Sequence, residues 1–361
     1  MYSFEPSEEQ KMLIDAVNRF STNDLRPAAH DAEETGQFSG KLINKGWELG
    51  VLQASIPEAY GGFGDRSAVT GILAAEPMAW GDLAGSLAIM LPGLFTLPIL
   101  LAGTEEQKKK YIPPVIEGAW QPYTAALMEA KFDFDSNDLS TIAEASGDGF
   151  VLNGEKTNVP FAAEAVAMVI YAKMNGNTVG FILPAGTPGV KVSSERGKLM
   201  GLNAMPFYSL KLEGVRLSKD QLLPGDFNPV LDASRIALAS MAVGVAKAAY
   251  EYARDYAKDR DVFGVKVAQK QAIAFMLAEM VIEIEAMRTI TWEAAWMLDN
   301  GKPDASKQAY LALTGATDMV MMVTDRAVQI LGGHGYIREH PVELFMRNGR
   351  GFASFTGLAM V

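Results

Sequence analysis

Residues 326–361 read RAVQILGGHGYIREHPVELFMRNGRGFASFTGLAMV and contain a glycine-rich turn followed by a largely apolar ending. Val328, Ile330 and Leu331 complete a helical pattern of apolar residues, and three of the next four residues are glycines. Glycine lets the backbone turn sharply and approach a ligand closely, and exposed amide groups in such a turn can bind a phosphate. Without further support, the glycines favour a simpler interpretation, in which a helix C-cap is followed by a turn.

Three long helical patterns lead up to this turn. Apolar residues recur at helical spacing over residues 232–259, 271–299 and 303–331. Together with one final helix, these segments predict a four-helix bundle.

The first two thirds of the chain predict two further domains. Residues 1 to about 120 have helical patterns, with capping boxes that begin at Ser7 and Thr104. From residue 123 to about 222, short β-type runs alternate with Gly, Pro and Asn turns. The predicted fold class is therefore α+β, with an N-terminal helical domain, a small middle β domain and the C-terminal four-helix bundle. The expected domain bounds are residues 1–121, 122–224 and 225–361.

Composition narrows the function classes. The chain has 361 residues, of which 49% are hydrophobic, so it is long and apolar enough to bury large cores. A formal net charge of −11 disfavours nucleic acid or an anionic membrane as a main partner. The chain has no cysteine, which excludes disulfides, thiolate metal sites and a cysteine nucleophile, and which fits a reducing compartment.

The sequence predicts neither export nor a membrane span. Residues 1–10, MYSFEPSEEQ, are acidic and lack the basic and apolar regions of a signal peptide, so a cytoplasmic location is expected. Residues 83–104 are uncharged and about long enough to cross a bilayer. Pro92 and Pro98 are expected to break such a helix, which favours buried core helices joined by a turn.

The motifs of the last third resemble the C-terminal signature of the acyl-CoA dehydrogenase family, flavoproteins that introduce a double bond beside a thioester carbonyl. QILGGHGY, REHPVE and LFMRN match that signature, and RDVFG at residues 260–264 has the family's spacing. Nearer the N-terminus, IPEAYGGFG at residues 56–64 and GTEEQKKKYIPPVIEG at residues 103–118 resemble family segments of structural importance. The resemblance covers nearly the whole chain and implies the fold described above.

The family's catalytic base is missing from both places where the family puts it. Dehydrogenation of an acyl thioester requires a carboxylate that removes the alpha proton and a flavin that accepts hydride. The family's Tyr-Glu-Gly-Thr step is matched by FTGL at residues 355–358, so Thr356 stands at the glutamate position. Some members place the glutamate before an arginine in the first bundle helix, where this chain has Ser234 before Arg235. We therefore assign no catalytic residue.

The residues that hold the flavin ring in the family are also replaced. The family's Thr-Glu-Pro-x-x-Gly-Ser-Asp segment is matched by MEAKFDFD at residues 128–135, where Met128 and Phe134 replace two hydroxyl side chains. The Lys-x-Trp-Ile-Thr segment, which packs on the isoalloxazine ring, is matched by KTNVP at residues 156–160, with Asn158 in place of the tryptophan.

A second set of family residues is retained. In family dimers, one subunit holds the flavin ring while the adjacent subunit contacts the pyrophosphate and adenine end of FAD. The resemblance assigns that second role here to Arg260, Phe263, Gln271, Gln329, Gly332 and Gly333. The selective loss of one set implies a heteromer in which a different chain supplies an intact active site.

Simpler roles remain open for several residues. Arg260 could form a surface salt bridge, and Phe263 and Gln271 could be packing and helix-face residues. His334 is expected to be a solvated turn residue, and no metal site is expected because the histidines lack metal-ligand spacing. Glu343 and Arg347 are expected to form a structural ion pair.

The leading hypothesis is a non-catalytic subunit of an acyl-CoA dehydrogenase complex that completes the FAD site of a catalytic partner chain, in a heterotetramer of two plus two. By resemblance, such assemblies act on bulky acyl-CoA esters such as those of lipid or steroid catabolism, and pass electrons to an electron-transfer flavoprotein. One alternative is a self-sufficient dehydrogenase with an atypical base, for which Asp133 and Asp135 are the nearest candidates. Another is a flavin-free acyl-CoA-binding or scaffold protein.

Overall fold

The computed structural model describes residues 5–361. The first four residues of the N-terminal segment discussed above lie outside that range. The described chain forms an N-terminal helical domain, a middle β domain and a C-terminal helical domain, as predicted.

From residue 5 onward the N-terminal domain contains eight α-helices, and both predicted capping boxes are present. Ser7 Oγ accepts from the Gln10 amide at 3.2 Å, and Thr104 Oγ1 accepts from the Gln107 amide at 3.2 Å. The helices are α1 Glu8–Phe20, α2 Arg26–Thr35, α3 Gly40–Trp47, α4 Ala68–Gly81, α5 Leu83–Ile89, α6 Gly93–Ala102, α7 Glu105–Tyr111 and α8 Pro113–Ile116. A π-helical turn, Ser21–Leu25, joins α1 to α2.

The uncharged stretch of this domain forms buried core helices, as expected. The helices α5 and α6 are bent by 53° at the break between them, and almost all of their residues are buried. Pro92 lies at that break, but the expectation for Pro98 was wrong, because α6 continues through it. Proline removes one backbone hydrogen bond, and burial of α6 on all sides compensates for that loss.

The middle domain is an eight-stranded sheet in which β3 and β7 form the longest antiparallel pair. The strands are β1 Tyr123–Ala126, β2 Ile142–Ser146, β3 Gly149–Pro160, β4 Ala167–Met174, β5 Asn177–Pro184, β6 Val190–Val192, β7 Phe207–Ser218 and β8 Leu222–Leu223. Their order is β6-β7-β3-β2-β4-β5-β8, and β1 pairs in parallel with β4. The β-type runs predicted from sequence, residues 149–152, 167–171, 180–183 and 208–212, lie within β3, β4, β5 and β7.

A buried ion pair ties β3 to the segment that follows β1. Lys156 Nζ, which is fully buried, donates to Glu129 Oε1 at 2.9 Å and to the Leu127 carbonyl at 3.1 Å. Glu129 also accepts from the Ser140 and Thr141 amides. Burial alone would raise the pKa of Glu129, but the Lys156 ammonium and the donated hydrogen bonds lower it to about 2.

The C-terminal domain contains the three predicted long helices and a shorter fourth one. They are α9 Asn228–Asp259, α10 Gln271–Asp299, α11 Ala305–Leu331 and α12 Val342–Arg350, and a small hairpin of β9 Asp261–Val262 and β10 Val265–Lys266 links α9 to α10. The helix α9 is long and apolar enough to span a membrane, but 89% of its most apolar window is buried inside the protein. It is therefore a core helix, which packs against α4, α10, α11 and α12.

We expect Glu129→Gln to lower the free energy of unfolding by about 3–5 kcal/mol, because the substitution leaves the buried Lys156 ammonium without a counter-charge. The folded-state pKa of Glu129 is depressed, so its contribution is fully present above the unfolded value near 4.5 and is lost as the pH falls toward about 2. Urea unfolding of the unsubstituted chain and of the Glu129→Gln variant at several pH values measures the difference in their free energies of unfolding.

The exposed pair of Lys191 and Glu213 provides the control. Glu213→Gln is expected to leave the unfolding midpoint nearly unchanged, because solvent screens exposed ion pairs. A midpoint for Glu129→Gln equal to that of the control would contradict a structural role for the buried pair.

Candidate functional site

An open cleft of about 540 Å³ lies where α9 ends, α10 begins and α11 turns. Four of the six retained residues line it, namely Arg260, Phe263, Gly332 and Gly333. The cleft is completed by Tyr256, Val262, Val267, Lys270, Ile273, Ile330, Leu331 and His334. Gln271 and Gln329 are exposed beside the cleft, on the first turn of α10 and the last turn of α11, and are not among its lining residues.

Arg260 is available for an anion. It caps the C-terminus of α9, where its amide donates to the Tyr256 carbonyl at 2.9 Å, and its side chain is exposed. Within residues 5–361 its guanidinium forms no ion pair or hydrogen bond, whereas that of Arg347 binds two carboxylates. Within these residues, Arg260 therefore does not form the surface salt bridge that was its alternative role.

Phe263 projects from the tip of the β9–β10 hairpin. Its side chain is 94% exposed, and its φ of 54° places it, with Gly264 at 79°, in the left-handed region. Val262 pairs with Val265, so Phe263 and Gly264 form a two-residue hairpin loop, and such a turn requires a positive φ at both of its central residues. The alternative that Phe263 packs against other residues of this chain is therefore wrong, because its side chain is almost fully exposed. Lys270 Nζ lies 5.4 Å from its ring centroid.

The glycine turn that follows α11 presents bare backbone to the cleft. Gly332 has a φ of 58°, and its amide closes the helix by donating to the Val328 and Gln329 carbonyls. A Cβ placed on Gly332 or Gly333 would meet no atom within 4 Å, so both positions face open space. A side chain here would occupy the space that a ligand needs in order to reach the backbone.

The expectation that His334 is a solvated turn residue was wrong. His334 is half-buried, its Nδ1 lies 3.0 Å from Tyr256 Oη, and its ring stacks on His340 with centroids 5.1 Å apart. His340 Nδ1 in turn lies 2.7 Å from Tyr252 Oη. These contacts brace the glycine turn against α9. The sequence could not show them, because the two pairs lie 78 and 88 residues apart.

The cleft suits the diphosphate and adenine end of a dinucleotide. Arg260 and Lys270 supply two positive charges, and the N-terminus of α10 adds a favourable dipole for an anion. Phe263 offers an exposed aromatic face for a planar base. Lys270 was not predicted from the sequence, although its place directly before Gln271 was the available signal. The volume lies within the range of about 300–1,000 Å³ typical of cofactor pockets.

The position of the family's base is closed. The two alternative base positions lie close together, because Ser234 Oγ accepts from the amide of Gly357, the residue after Thr356, at 2.9 Å. A Cβ at Gly357 would lie 2.7 Å from Leu127 Cδ2, so the middle domain packs directly on this loop. Neither position carries a carboxylate, and the loop that carries Thr356 contacts both α9 and the middle domain.

A cavity of only about 190 Å³ remains next to that contact. It is lined by Asn158, Leu199, Met200, Gly201, Arg347, Arg350, Gly351, Ser354, Phe355 and Leu358. Phe355 fills part of the space, since a Cβ at Gly351 would lie 1.9 Å from its ring. Met128 is buried and Phe134 packs against the core. The residues present here do not fit an isoalloxazine ring.

The remaining candidates from sequence have other surroundings. Asp133 and Asp135 are exposed, and Asp135 Oδ1 accepts from the Asn137 amide within a turn. The ion pair between Glu343 and Arg347 is confirmed, with Nε and Oε2 2.7 Å apart. Arg347 also binds Glu33, which connects α12 to α2. Arg235 pairs with Asp232 one turn earlier in α9. Both arginines are structural.

Comparison with known proteins agrees with the fold and motifs. The sequence matches the acyl-CoA dehydrogenase N-terminal domain over residues 7–119, the middle domain over residues 124–215 and the C-terminal domain over residues 227–359. The chain belongs to the acyl-CoA dehydrogenase family, whose members bind FAD.

Several relatives align over almost their full length. The mitochondrial short-chain specific acyl-CoA dehydrogenase of Bos taurus is 35% identical, over 96% of this chain and 86% of the relative. The caffeyl-CoA reductase-Etf complex subunit CarC of Acetobacterium woodii is 34% identical, over 98% and 96%. The structure of butyryl-CoA dehydrogenase from Megasphaera elsdenii superposes with a TM-score of 0.89 at 30% identity, covering 99% of this chain and 96% of the other.

We predict that the chain expressed alone retains little FAD and has no acyl-CoA dehydrogenase activity. Thr356→Glu is expected not to restore activity, because it adds a base to a site whose walls are in contact. Flavin absorbance and dye-coupled turnover with acyl-CoA esters test this. Stoichiometric FAD together with turnover in the homogeneous chain would instead support a self-sufficient dehydrogenase with an atypical base.

Proposed function

We propose that this chain is the non-catalytic subunit of a heteromeric acyl-CoA dehydrogenase and completes the FAD site of a catalytic partner chain. The contrast between its two cofactor regions carries the proposal. The region that would hold a flavin ring is reduced to about 190 Å³ and has no carboxylate base, whereas the region that would contact the pyrophosphate is an open cleft of about 540 Å³.

The division of roles follows from the residues in each region. Arg260 would pair with the pyrophosphate, and Gly332 and Gly333 would let it approach the backbone of the turn. Phe263 would pack on the cofactor or on the partner. Such a contact would account for an aromatic side chain that is exposed at the tip of the β9–β10 hairpin. When bound, FAD supplies hydride acceptance, and the partner supplies the carboxylate for proton abstraction.

An apolar stripe on α10 offers a surface for that partner. Phe275, Ala278, Ile282 and Ala286 are exposed and follow one another at intervals of three or four residues, which places them on one face of the helix. The stripe starts at Phe275, five residues after Lys270 and two after Ile273, and both of these residues line the cleft. Exposed apolar surface of this kind marks interaction sites, and its continuity with the cleft favours the chain that holds the FAD as the occupant.

The relatives support a role in a larger electron-transfer assembly. One relative is named as a subunit of a caffeyl-CoA reductase-Etf complex. A structure described under the electron transferring flavoprotein of Acidaminococcus fermentans superposes with a TM-score of 0.89 at 32% identity. We propose that the complex acts on an acyl-CoA thioester in the cytoplasm and passes electrons to an electron-transfer flavoprotein. Under this proposal, a bulky acyl group would be bound by the catalytic subunit.

We expect the complex to contain two copies of each chain and about one FAD per pair of unlike chains. Each complete site needs one flavin-ring region and one cleft, and only the partner supplies the former. Native mass and flavin absorbance measured on the same sample give the ratio. One FAD for every chain would contradict this division, and a stable complex without any FAD would support a scaffold.

Arg260→Ala in this chain is expected to weaken FAD binding by the complex roughly ten- to a hundredfold, because it deletes a charge-assisted contact worth about 1.5–3 kcal/mol. Assembly should remain intact, and saturating FAD should restore part of the rate. Titration of the deflavinated complex with FAD measures the affinity.

Arg216→Ala provides a matched control, since Arg216 is an exposed arginine on β7 in the middle domain. It removes the same charge without touching the cleft and is expected to leave FAD affinity unchanged. Equal effects of the two variants would show that net charge, and not the position of Arg260, governs FAD binding.

A further inference from the structure

Two tyrosine–histidine pairs lie side by side at the edge of the cleft, and we call these four residues the Tyr–His ladder. Tyr256 Oη lies 3.0 Å from His334 Nδ1, and Tyr252 Oη lies 2.7 Å from His340 Nδ1. The two imidazole rings are nearly parallel, with an interplanar angle of 13° and centroids 5.1 Å apart. Tyr252 and Tyr256 are one turn apart on α9, so a single helix aligns both pairs.

The tyrosine hydroxyls determine the tautomer of each neutral imidazole. A tyrosine hydroxyl keeps its proton up to about pH 10, and burial raises the pKa of Tyr252 further. Each hydroxyl therefore donates to the Nδ1 atom that faces it, and the one proton of the neutral ring lies on Nε2. The ladder thus turns His334 Nε2 into a hydrogen-bond donor.

That donor is left for a ligand. His334 lines the cleft together with Tyr256 and is half-buried. Among residues 5–361 no group accepts a hydrogen bond from His334 Nε2, and this nitrogen is not one of the fully buried polar atoms without a partner. The stack on His340 limits rotation of the ring, so the donor keeps its direction whether or not the cleft is filled.

The charge of the cleft couples this imidazole to an anion. Arg260 and Lys270 line the same cleft as His334. While the cleft is empty, these two positive charges oppose a third one on the imidazole. A bound diphosphate has the opposite effect, because its negative charges favour the protonated ring. Binding of a diphosphate is therefore expected to draw a proton onto the ladder.

The other charged groups around the ladder leave this coupling to the histidines. Arg338 and Glu339 lie in the segment between the two histidines, Arg26 of α2 acts on Tyr252, and Glu343 of α12 is held in its ion pair with Arg347. Within the described residues none of these side chains hydrogen-bonds to either imidazole. Two imidazolium rings 5.1 Å apart repel each other, so the stacked pair takes up one proton more readily than two.

We propose that His334 is a further ligand of the diphosphate in the cleft, that the Tyr–His ladder fixes its tautomer, and that diphosphate binding is coupled to proton uptake by the ladder. Neutral His334 donates one hydrogen bond to a phosphate oxygen, and the protonated ring makes that bond charge-assisted. The inference rests on the proposed function only in taking the ligand of the cleft to be a dinucleotide. It requires neither a partner chain nor a flavin ring.

The test uses the full chain alone and ADP-ribose, which carries the adenine and diphosphate of a dinucleotide without a flavin. Its diphosphate does not change charge over the range of about pH 6–8 in which an imidazole titrates. We expect ADP-ribose to bind about five- to tenfold more tightly at the acidic end of that range, because the hydrogen bond becomes charge-assisted. Isothermal titration calorimetry in buffers of different ionisation enthalpy measures both the affinity and the proton uptake.

Substitutions of the histidines separate the donor from the ring. His334→Phe keeps an aromatic ring in the stack but removes the donor, and is expected to weaken binding about tenfold near pH 6 and about threefold near pH 8. His334→Asn keeps an N–H donor that cannot be protonated, so it is expected to bind more tightly than His334→Phe near pH 8 and to show no pH dependence. His30→Asn, at the third histidine of the chain, is the control and is expected to keep the pH dependence.

NMR of the chain with ¹⁵N-labelled histidine rings tests the ladder without any ligand. We expect His334 to be in the Nε2–H form near pH 8, and Tyr256→Phe to increase the Nδ1–H form because it removes the hydroxyl that donates to Nδ1. The same substitution is expected to weaken ADP-ribose binding about two- to fivefold. A predominant Nδ1–H form of His334 in the unsubstituted chain would overturn the proposal.

Arg260→Ala distinguishes a failure of this inference from a failure of the proposed function. If Arg260→Ala abolishes ADP-ribose binding but His334→Phe leaves the affinity unchanged, or if the pH dependence survives His334→Asn, the role of His334 is wrong and the cleft remains a dinucleotide site. Absence of binding, or binding that neither substitution changes, contradicts both. If the His334 variants behave as expected but no catalytic chain assembles with this one, only the proposed function fails.

Discussion

Close packing around α9 is the constraint on which the rest of the structure depends. Its middle third is rich in alanine, and Ala237, Ala242 and Ala249 have no exposed surface. Small side chains let neighbouring helices approach closely, and at Gly244 a Cβ would lie 2.2 Å from the Glu76 carbonyl of α4. The N-terminal domain is thereby joined to the C-terminal domain through one hydrophobic core, which also includes residues of the middle domain.

The same helix separates the two cofactor regions. Ser234, near its N-terminus, contacts the closed base position, whereas Arg260 at its C-terminus borders the open cleft. At a rise of 1.5 Å per residue, these two positions lie roughly 39 Å apart along a straight helix. One chain therefore cannot bring its own cleft to its own base position. Under the proposed function, a cofactor bound in the cleft would extend toward a different chain, and the exposed apolar residues on the adjacent α10 are consistent with such a contact.

The sequence was sufficient to predict most of the fold but only part of the site. The capping boxes and the long apolar periodicities are local signals, and they identified α1, α7 and the three long helices to within a few residues. Pro98 was misjudged because a buried helix can tolerate proline, which depends on packing that no local pattern reports. The contacts of His334 and His340 with Tyr256 and Tyr252 were missed because these partners are 78 and 88 residues apart in sequence.

The retained fold and the lost chemistry depend on different residues of the same motifs. Glu129 and Lys156 lie within the two segments that hold the flavin ring in the family, and they form the buried ion pair that joins those segments. Their neighbours Met128 and Asn158 lack the flavin contacts that the family makes there. Removing either ion-pair partner would strand a buried charge, whereas replacing a residue that faces a cofactor affects only binding. Selection for stability therefore preserves Glu129 and Lys156, whereas it does not constrain the flavin-facing positions of Met128 and Asn158.

The same reasoning cannot explain Arg260 or Phe263, because both are exposed and neither side chain supports the core of this chain. The proposed contact with a cofactor and a partner chain would account for both residues.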